Sequence, residues 1–238
     1  GTPAGGMHRL ALSDTDRAAR DLFVSWLEQE GLTPRVDDFG NIYGRRAGEE
    51  PDLPPVLVGS HLDTVPGGGR FDGILGVVAA LEVASALNDA GQRTRRPLDI
   101  VDWTNEEGAR FSPAMLASGG MIGVFARDWV YDRTDRRGLR FGDELARIGY
   151  LGEEAARPRA IAANLELHIE QGPILEEGGE SVGVVEGVVG IRWCTVTVRG
   201  QSAHAGPTPM YMRRDAMVAA ARMLVAARDL ARERGTFN

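Results

Sequence analysis

The chain has one cysteine, Cys194, in 238 residues, so it cannot form an intrachain disulfide. This scarcity of cysteine is typical of a reducing compartment, and we expect a cytoplasmic protein. No stretch approaches the roughly 18 apolar residues of a membrane span, and no secretory signal is visible at the N-terminus. The formal net charge of −7 disfavours sequence-independent binding to nucleic acid or to an anionic membrane. We therefore expect neither kind of partner.

Glycine is the residue in excess. The 31 glycines make up about 13% of the chain, against roughly 7% in average proteins. Such an excess predicts many tight turns and close backbone approaches. The run at 67–69 could cradle a phosphate, but the chain has neither a Walker pattern nor a Rossmann fingerprint. We interpret this run instead as a sharp bend that brings Asp72 into a site.

The spacing of apolar residues predicts an α/β fold. Strand, helix and strand in succession predict a right-handed crossover and a largely parallel sheet. The predicted elements are helices within 10–31 and 73–90, two short strands within 32–46, and buried strands at 55–59, 98–103 and 165–169.

The pattern changes in the last fifth of the chain. Residues 191–199 alternate between apolar and polar side chains, which predicts a half-exposed, antiparallel strand. A loop rich in glycine and proline follows, and then an alanine-rich helix over 213–234. We therefore predict two domains, 1–188 and 189–238.

Histidines and carboxylates gather at the predicted strands of the first domain. In open α/β sheets, ligands bind at the carboxyl ends of the strands. Two of only four histidines belong to this set, and a donor set without thiolates suits zinc, manganese or cobalt. A structural zinc site is the weaker interpretation, because such sites usually use cysteines. The residues are His61 and Asp63 after the first buried strand, Glu106 and Glu107 after the second, and Glu166, His168 and Glu170 within the third.

The spacing within these pairs has a chemical meaning. His61 and Asp63 are two residues apart, so on an extended backbone they face the same way, and Asp63 can orient the imidazole. Glu106 and Glu107 are adjacent and point to opposite sides. One glutamate can then bind a metal ion while the other reaches the attacking water.

Four segments together resemble the amidase, hydantoinase and carbamoylase branch of the M20 metallopeptidase-like family, and they occur in the family's order. This branch includes N-carbamoyl-L-amino-acid hydrolases, allantoate amidohydrolases and β-ureidopropionases. The resemblance implies a phosphorylase/hydrolase-like α/β catalytic domain with a two-metal centre, and an inserted α/β lid domain that forms a homodimer. The segments are GSHLDTVPGGGRFDG, TNEEGARF, ELHIEQGP and RGQSAHAGPTPM.

The resemblance also implies a role for each matching residue. Two divalent ions (zinc, manganese or cobalt) would be held by His61, Asp72, Glu107 and His168. Glu106 matches the general base, Asp63 the residue that orients its histidine neighbour, and Gln171 a substrate contact. His204 matches a lid histidine that stabilises the oxyanion in the partner subunit's site. M20 peptidases commonly carry a carboxylate at the position of His168, so histidine there favours the carbamoylase branch.

The expected activity is hydrolysis of carbamoyl or ureido C–N bonds in small molecules. The family has a further histidine ligand after the lid, and nothing in this chain matches it. We therefore expect the chain to be a fragment of a longer protein. Two alternatives stay open, which are an M20 dipeptidase or aminopeptidase and a non-catalytic module that lacks the last ligand.

Overall fold

A computed structural model describes residues 1, 5–190 and 194–235 of the chain. The chain divides into two compact units, Gly1–Glu180 and Ser181–Asn238. The domain boundary predicted near residue 188 falls inside the second unit, and the division into domains stays a prediction.

The first unit is built on a five-stranded mixed sheet, so the predicted α/β class is confirmed. Its strand order is β1-β2-β4-β3-β5. Strand β3 pairs in parallel with β4 and β5, whereas β2 pairs antiparallel with β1 and β4. Two of the four strand pairs are parallel and two antiparallel, so the prediction of a largely parallel sheet is wrong for the residues that the structure describes. The strands are β1 (Thr33–Val36), β2 (Ile42–Arg46), β3 (Val56–Ser60), β4 (Leu98–Asp102) and β5 (Ala163–Leu165).

The two long helices of the first unit confirm the predicted ones. Helix α1 begins after Ser13, whose hydroxyl accepts the backbone N–H of Asp16 and so caps the helix. Helix α2 connects β3 to β4 and packs against both strands. The helices are α1 (Asp14–Gln29), α2 (Ile74–Asp89), α3 (Leu116–Met121), α4 (Arg127–Tyr131), α5 (Phe141–Arg147) and α6 (Ile174–Gly178).

The hydrophobic core lies between the sheet and these helices. Phe23 and Leu27 of α1 pack there with Ile100 of β4, and all three are buried. Phe111 and Phe141 meet edge to face with their ring centroids 5.4 Å apart. Burial of each such side chain contributes about 1.5–3 kcal/mol. This core holds the sheet rigid behind the edge where the polar residues gather.

Strand β5 is shorter than predicted and lies earlier in the chain. It pairs with β3 only from Ala163 to Leu165, so the predicted strand at 165–169 is wrong beyond its first residue. The alternation of Leu165, Leu167 and Ile169 continues after the chain has left the ladder, and apolar spacing alone does not report where hydrogen bonds end. His168 therefore follows its strand, as His61 follows β3.

A buried arginine joins three parts of the first unit. Arg20 of α1 is completely buried, and its Nε donates to Asp16 Oδ2 over 2.8 Å. Its Nη1 donates to the carbonyl of Gly40 in the β1–β2 turn, and its Nη2 donates to Thr104 Oγ1 after β4. The same Nη1 lies 3.7 Å from Asp102 Oδ2. The planar, forked guanidinium reaches all of these groups at once, which a lysine cannot do.

The second unit contains one long helix, α7 (Ala216–Arg234), which confirms the helix predicted there. Asp215 caps it by accepting the N–H of Val218. The predicted strand at 191–199 is wrong for Cys194–Arg199, which form no strand, and residues 191–193 lie outside the described residues. A strand needs a hydrogen-bonded neighbour, and no described segment pairs with this one. Every helix in the described ranges is too short or too polar to cross a membrane.

Replacing Arg20 tests how far the first unit depends on it. We expect Arg20→Met to lower the free energy of unfolding by about 3–5 kcal/mol, because Asp16 and Asp102 would stay buried without their cation. Arg17→Met on the same helix is the control, since Arg17 is exposed and pairs loosely with Asp21 at 3.7 Å. Urea unfolding followed by circular dichroism measures both. Equal stability of the two variants would contradict the proposed dependence.

Candidate metal centre

Four segments bring predicted site residues to one edge of the sheet. His61 follows β3, Asp72 stands just before α2, Glu106 and Glu107 follow β4, and His168 follows β5. Because β3, β4 and β5 run in parallel, their carboxyl ends meet at this edge. One ligand atom each from His61, Asp72 and His168 lies within 4.8 Å of the others. The structure thus assembles three of the four predicted metal ligands.

Carboxylate oxygens lie close to the Nε2 atoms of both histidines in this cluster. Asp72 Oδ1 lies 3.2 Å from His168 Nε2 and 4.0 Å from His61 Nε2. Glu106 Oε2 is 3.5 Å from His61 Nε2. The two imidazole rings stack with their centroids 5.9 Å apart. His61, Asp72 and His168 therefore all present polar atoms to one small space.

Backbone carbonyls determine which nitrogen each histidine presents. His61 Nδ1 lies 2.9 Å from the carbonyl oxygen of Asp63, and His168 Nδ1 lies 2.8 Å from that of Ile169. A carbonyl oxygen only accepts, so each Nδ1 carries the proton. Each Nε2 of a neutral ring then turns a lone pair toward Asp72, which is the arrangement of a metal-binding histidine.

The charges at this edge fit a cation. Asp72 Oδ1 is buried and has no hydrogen-bond partner among the described residues. When both rings are neutral, two nitrogen lone pairs and this oxygen face one another without a donor, and a bound cation removes their repulsion. Imidazole and carboxylate without thiolate suit a divalent transition metal. His61, Asp72 and His168 could therefore hold one such ion.

The two adjacent glutamates differ in their surroundings. One oxygen of Glu107, Oε1, is buried without a partner among the described residues, while the Glu106 side chain is 33% exposed. Burial raises the pKa of Glu107, and the charges of Asp72 and Glu106 raise it further against the opposing effect of His61. Glu107 lies outside the three-residue cluster. Its role as a ligand, and that of Glu106 as the base, stay predictions.

Asp63 acts on its neighbours differently from the prediction. Its Oδ1 is 3.9 Å from His61 Nδ1, too far for a hydrogen bond, and its backbone carbonyl orients that ring instead. The carboxylate accepts the backbone N–H groups of Glu106 at 3.0 Å and Glu107 at 3.3 Å. Burial raises the pKa of Asp63. Asp63 therefore ties the segment after β3 to the segment after β4.

Gly73 leaves room for the histidine. Its φ of +68° lies in the left-handed region, and a Cβ there would sit 2.4 Å from the His61 carbonyl oxygen and 2.5 Å from His61 Nδ1. The start of α2 therefore approaches His61 as closely as it does only because residue 73 has no side chain.

The structure gives the contacts of Gln171 and His204 but does not test their predicted roles. Gln171 Nε2 donates to Asp72 Oδ2 over 2.9 Å, and its predicted contact with substrate stays a prediction. His204 belongs to the second unit, where it is exposed and its Nδ1 accepts the N–H of Gly206. Its predicted reach into a partner's site also stays a prediction.

Asp102 and Ser60, which the motifs do not single out, support this edge through hydrogen bonds. Asp102 Oδ1 accepts the N–H of Leu62 over 2.9 Å and so holds the residue next to His61. The hydroxyl of Ser60 donates to Glu166, which links the ends of β3 and β5. The sequence does contain one sign of this support, which is the pair Asp99 and Asp102 in the buried strand LDIVD. A buried charge needs a partner, so these aspartates indicate a polar network.

Residues 57–235 match the family model described as peptidase family M20/M25/M40. Among curated relatives, an N-carbamoyl-L-amino-acid amidohydrolase of Rhizobium meliloti is 49% identical over 230 residues, which cover 97% of this chain and 55% of the relative. Allantoate deiminase 1 of Glycine max is 37% identical over 235 residues, which cover 95% of this chain and 48% of the relative. The chain thus spans about half the length of the curated relatives it matches.

A solved structure has the same fold. The chain superposes on the crystal structure of an amidase of the hydantoinase/carbamoylase family from Burkholderia multivorans with a TM-score of 0.84 and 46% sequence identity. The match covers 98% of this chain and 57% of that structure.

Substituting Gly73 tests the geometry of the cluster. We expect Gly73→Ala to weaken Mn²⁺ binding about 10- to 100-fold, because the new methyl group displaces the His61 ring. Gly69→Ala is the matched control, since a Cβ there would meet nothing closer than Asp72 Cβ at 3.8 Å. Isothermal titration calorimetry measures the affinity, and circular dichroism checks the fold. If both variants bound Mn²⁺ as the unmodified protein does, the close approach of residue 73 to His61 would not determine the affinity of the site.

Proposed function

Because the chain belongs to peptidase family M20/M25/M40, we propose that the full protein hydrolyses the C–N bond of linear carbamoyl or ureido compounds. We propose N-carbamoyl-L-amino acids as its substrates. The observation that carries the proposal is the convergence of His61 Nε2, His168 Nε2 and the unpartnered Asp72 Oδ1 at one sheet edge. The relative from Rhizobium meliloti, an N-carbamoyl-L-amino-acid amidohydrolase, supports the substrate class.

Two divalent ions are part of the proposal. His61, His168 and Asp72 would hold one, and Asp72 and Glu107 would hold the other. When bound, such ions supply Lewis acidity toward the scissile carbonyl. The buried Glu107 Oε1, which has no partner among the described residues, supports the second position. Zinc, manganese and cobalt all suit these donors.

Glu106 is the general base of the proposed reaction. Its carboxylate is partly exposed and lies 3.5 Å from His61 Nε2, so water has access to it at the cluster. Glu106 takes a proton from the attacking water and returns it to the leaving nitrogen as the C–N bond breaks. An N-carbamoyl amino acid then yields the amino acid, carbon dioxide and ammonia. Asp63 supports this role by accepting the backbone N–H of Glu106.

The second unit has a separate role in the proposed enzyme. We assign it to a lid domain that forms a homodimer, with His204 donating to the developing oxyanion in the partner's site. Removing one such donor costs roughly 10²- to 10³-fold in kcat. Exposure of His204 is compatible with this role.

We also propose a cytoplasmic location, which agrees with the single cysteine, Cys194, being exposed and free.

Activity with a panel of substrates tests the proposed function. We expect N-carbamoyl-L-amino acids to be hydrolysed faster than allantoate, the substrate class of the Glycine max relative, and dipeptides to be poor substrates. Chelation by EDTA should abolish turnover, and added Zn²⁺, Mn²⁺ or Co²⁺ should restore it. Amino acid release measures each rate, and N-carbamoyl-D-amino acids serve as controls. Preferential cleavage of dipeptides would replace the proposal with a peptidase function.

Glu106→Gln tests the base. The amide keeps the size of the side chain but cannot take a proton, so we expect kcat to fall about 10²- to 10⁴-fold while metal content stays the same. Glu153→Gln, an exposed position on the same unit, is the control. Metal analysis by mass spectrometry accompanies the kinetics. A near-normal kcat would exclude Glu106 as the base.

A further inference from the structure

Gln171 is held in an unusual conformation next to Asp72. Its φ of +56° lies in the left-handed region, which residues other than glycine adopt only a few per cent of the time. The preceding Glu170 accepts the backbone N–H groups of Ile174 and Leu175 and so anchors the segment to the start of α6. This anchored bend presents the Gln171 amide to Asp72 Oδ2 at 2.9 Å.

The two oxygens of Asp72 therefore have different surroundings. Oδ1 faces His61 Nε2 and His168 Nε2 and has no donor among the described residues. Oδ2 accepts a hydrogen bond from Gln171. Asp72 Oδ1 is therefore available to a cation, whereas Oδ2 is engaged by Gln171.

Glu107 offers an acceptor for a second positive charge. Glu107 Oε1 is buried and has no hydrogen-bond partner among the described residues. The first ion, between the two histidines and Asp72 Oδ1, leaves Glu107 outside its ligand set. A cation shared by Asp72 and Glu107 would need Asp72 Oδ2, which is the oxygen that Gln171 occupies.

We propose that Gln171 and a second divalent cation compete for Asp72 Oδ2, so that Gln171 controls how many ions the centre holds. The second ion displaces the amide from Asp72, and the freed amide becomes available to a substrate. Binding of the second ion and of substrate are thereby coupled through one side chain. This inference rests on the cation site of the proposed function and not on its substrate.

The competition predicts that the two ions respond differently to the loss of Gln171. The second ion must break a hydrogen bond to a charged acceptor, and loss of that bond is worth roughly 10- to 100-fold in affinity. Removal of the Gln171 amide should therefore tighten the second binding step by about that factor. The first step uses Asp72 Oδ1, which Gln171 does not contact, and should change much less than the second step.

Titration of the metal-free full protein with Mn²⁺ tests this inference. Isothermal titration calorimetry gives both dissociation constants, and electron paramagnetic resonance detects the spin-coupled pair that forms only when two Mn²⁺ ions are adjacent. Two variants are compared. Gln171→Leu removes the donor at similar size, and Gln171→Gly removes it while adopting the left-handed φ without steric cost. Gln92→Ala, an exposed glutamine after α2, is the matched control.

Tighter binding of the second ion in both variants, with the coupled signal at lower Mn²⁺ concentration, would support the competition. An unchanged or weaker second step would overturn it, and so would a loss of first-ion affinity, which would make Gln171 a residue that merely positions Asp72. Tighter binding of the second ion in Gln171→Gly alone would result from the relaxed backbone, and it would also overturn the competition. If the Mn²⁺ constants shift as expected but no carbamoyl compound is hydrolysed, the inference stands and the proposed function fails.

Discussion

The buried guanidinium of Arg20 is the interaction on which the first unit depends. It compensates the charges of Asp16 and Asp102 in a space that excludes water, and it donates to Thr104 just before the two adjacent glutamates. Asp102 in turn holds the N–H of Leu62, beside the first histidine. Burial nevertheless raises the pKa of Asp102 to about 6. The site segments after β3 and β4 are therefore aligned by one ion network behind the sheet edge.

The candidate metal centre built on this support is rich in hydrogen-bond acceptors. Backbone carbonyls orient His61 and His168 so that both Nε2 atoms face Asp72, and a carboxylate oxygen stays buried without a partner among the described residues. Such an arrangement opposes folding unless a cation completes it, so the fold and the ion stabilise each other. The hydrogen bond from Gln171 to the other Asp72 oxygen satisfies one acceptor within the chain itself.

Much of the fold around the site was predictable, because burial imposes its periodicity on the sequence. The helices α1 and α2 and the strands β1–β4 agree with the predicted elements. Two strand predictions were wrong, beyond Leu165 and over Cys194–Arg199, and both errors have the same cause. Apolar alternation indicates which side chains share a face, but a strand exists only where a neighbour supplies hydrogen bonds, and the neighbour lies far away in the chain.

The sequence by itself determined the chemical types at the sheet edge, since imidazoles and carboxylates that follow successive parallel strands must meet there. The approach of His61, Asp72 and His168 follows from that order. Only the tertiary structure decided which atom of each residue makes which contact. The carboxylate of Asp63 accepts two backbone N–H groups, and the backbone carbonyl of Asp63 accepts the hydrogen bond from the His61 ring. Hydrogen bonds depend on tenths of an ångström and on angles, and these are determined by packing between segments distant in sequence, which residue spacing does not encode.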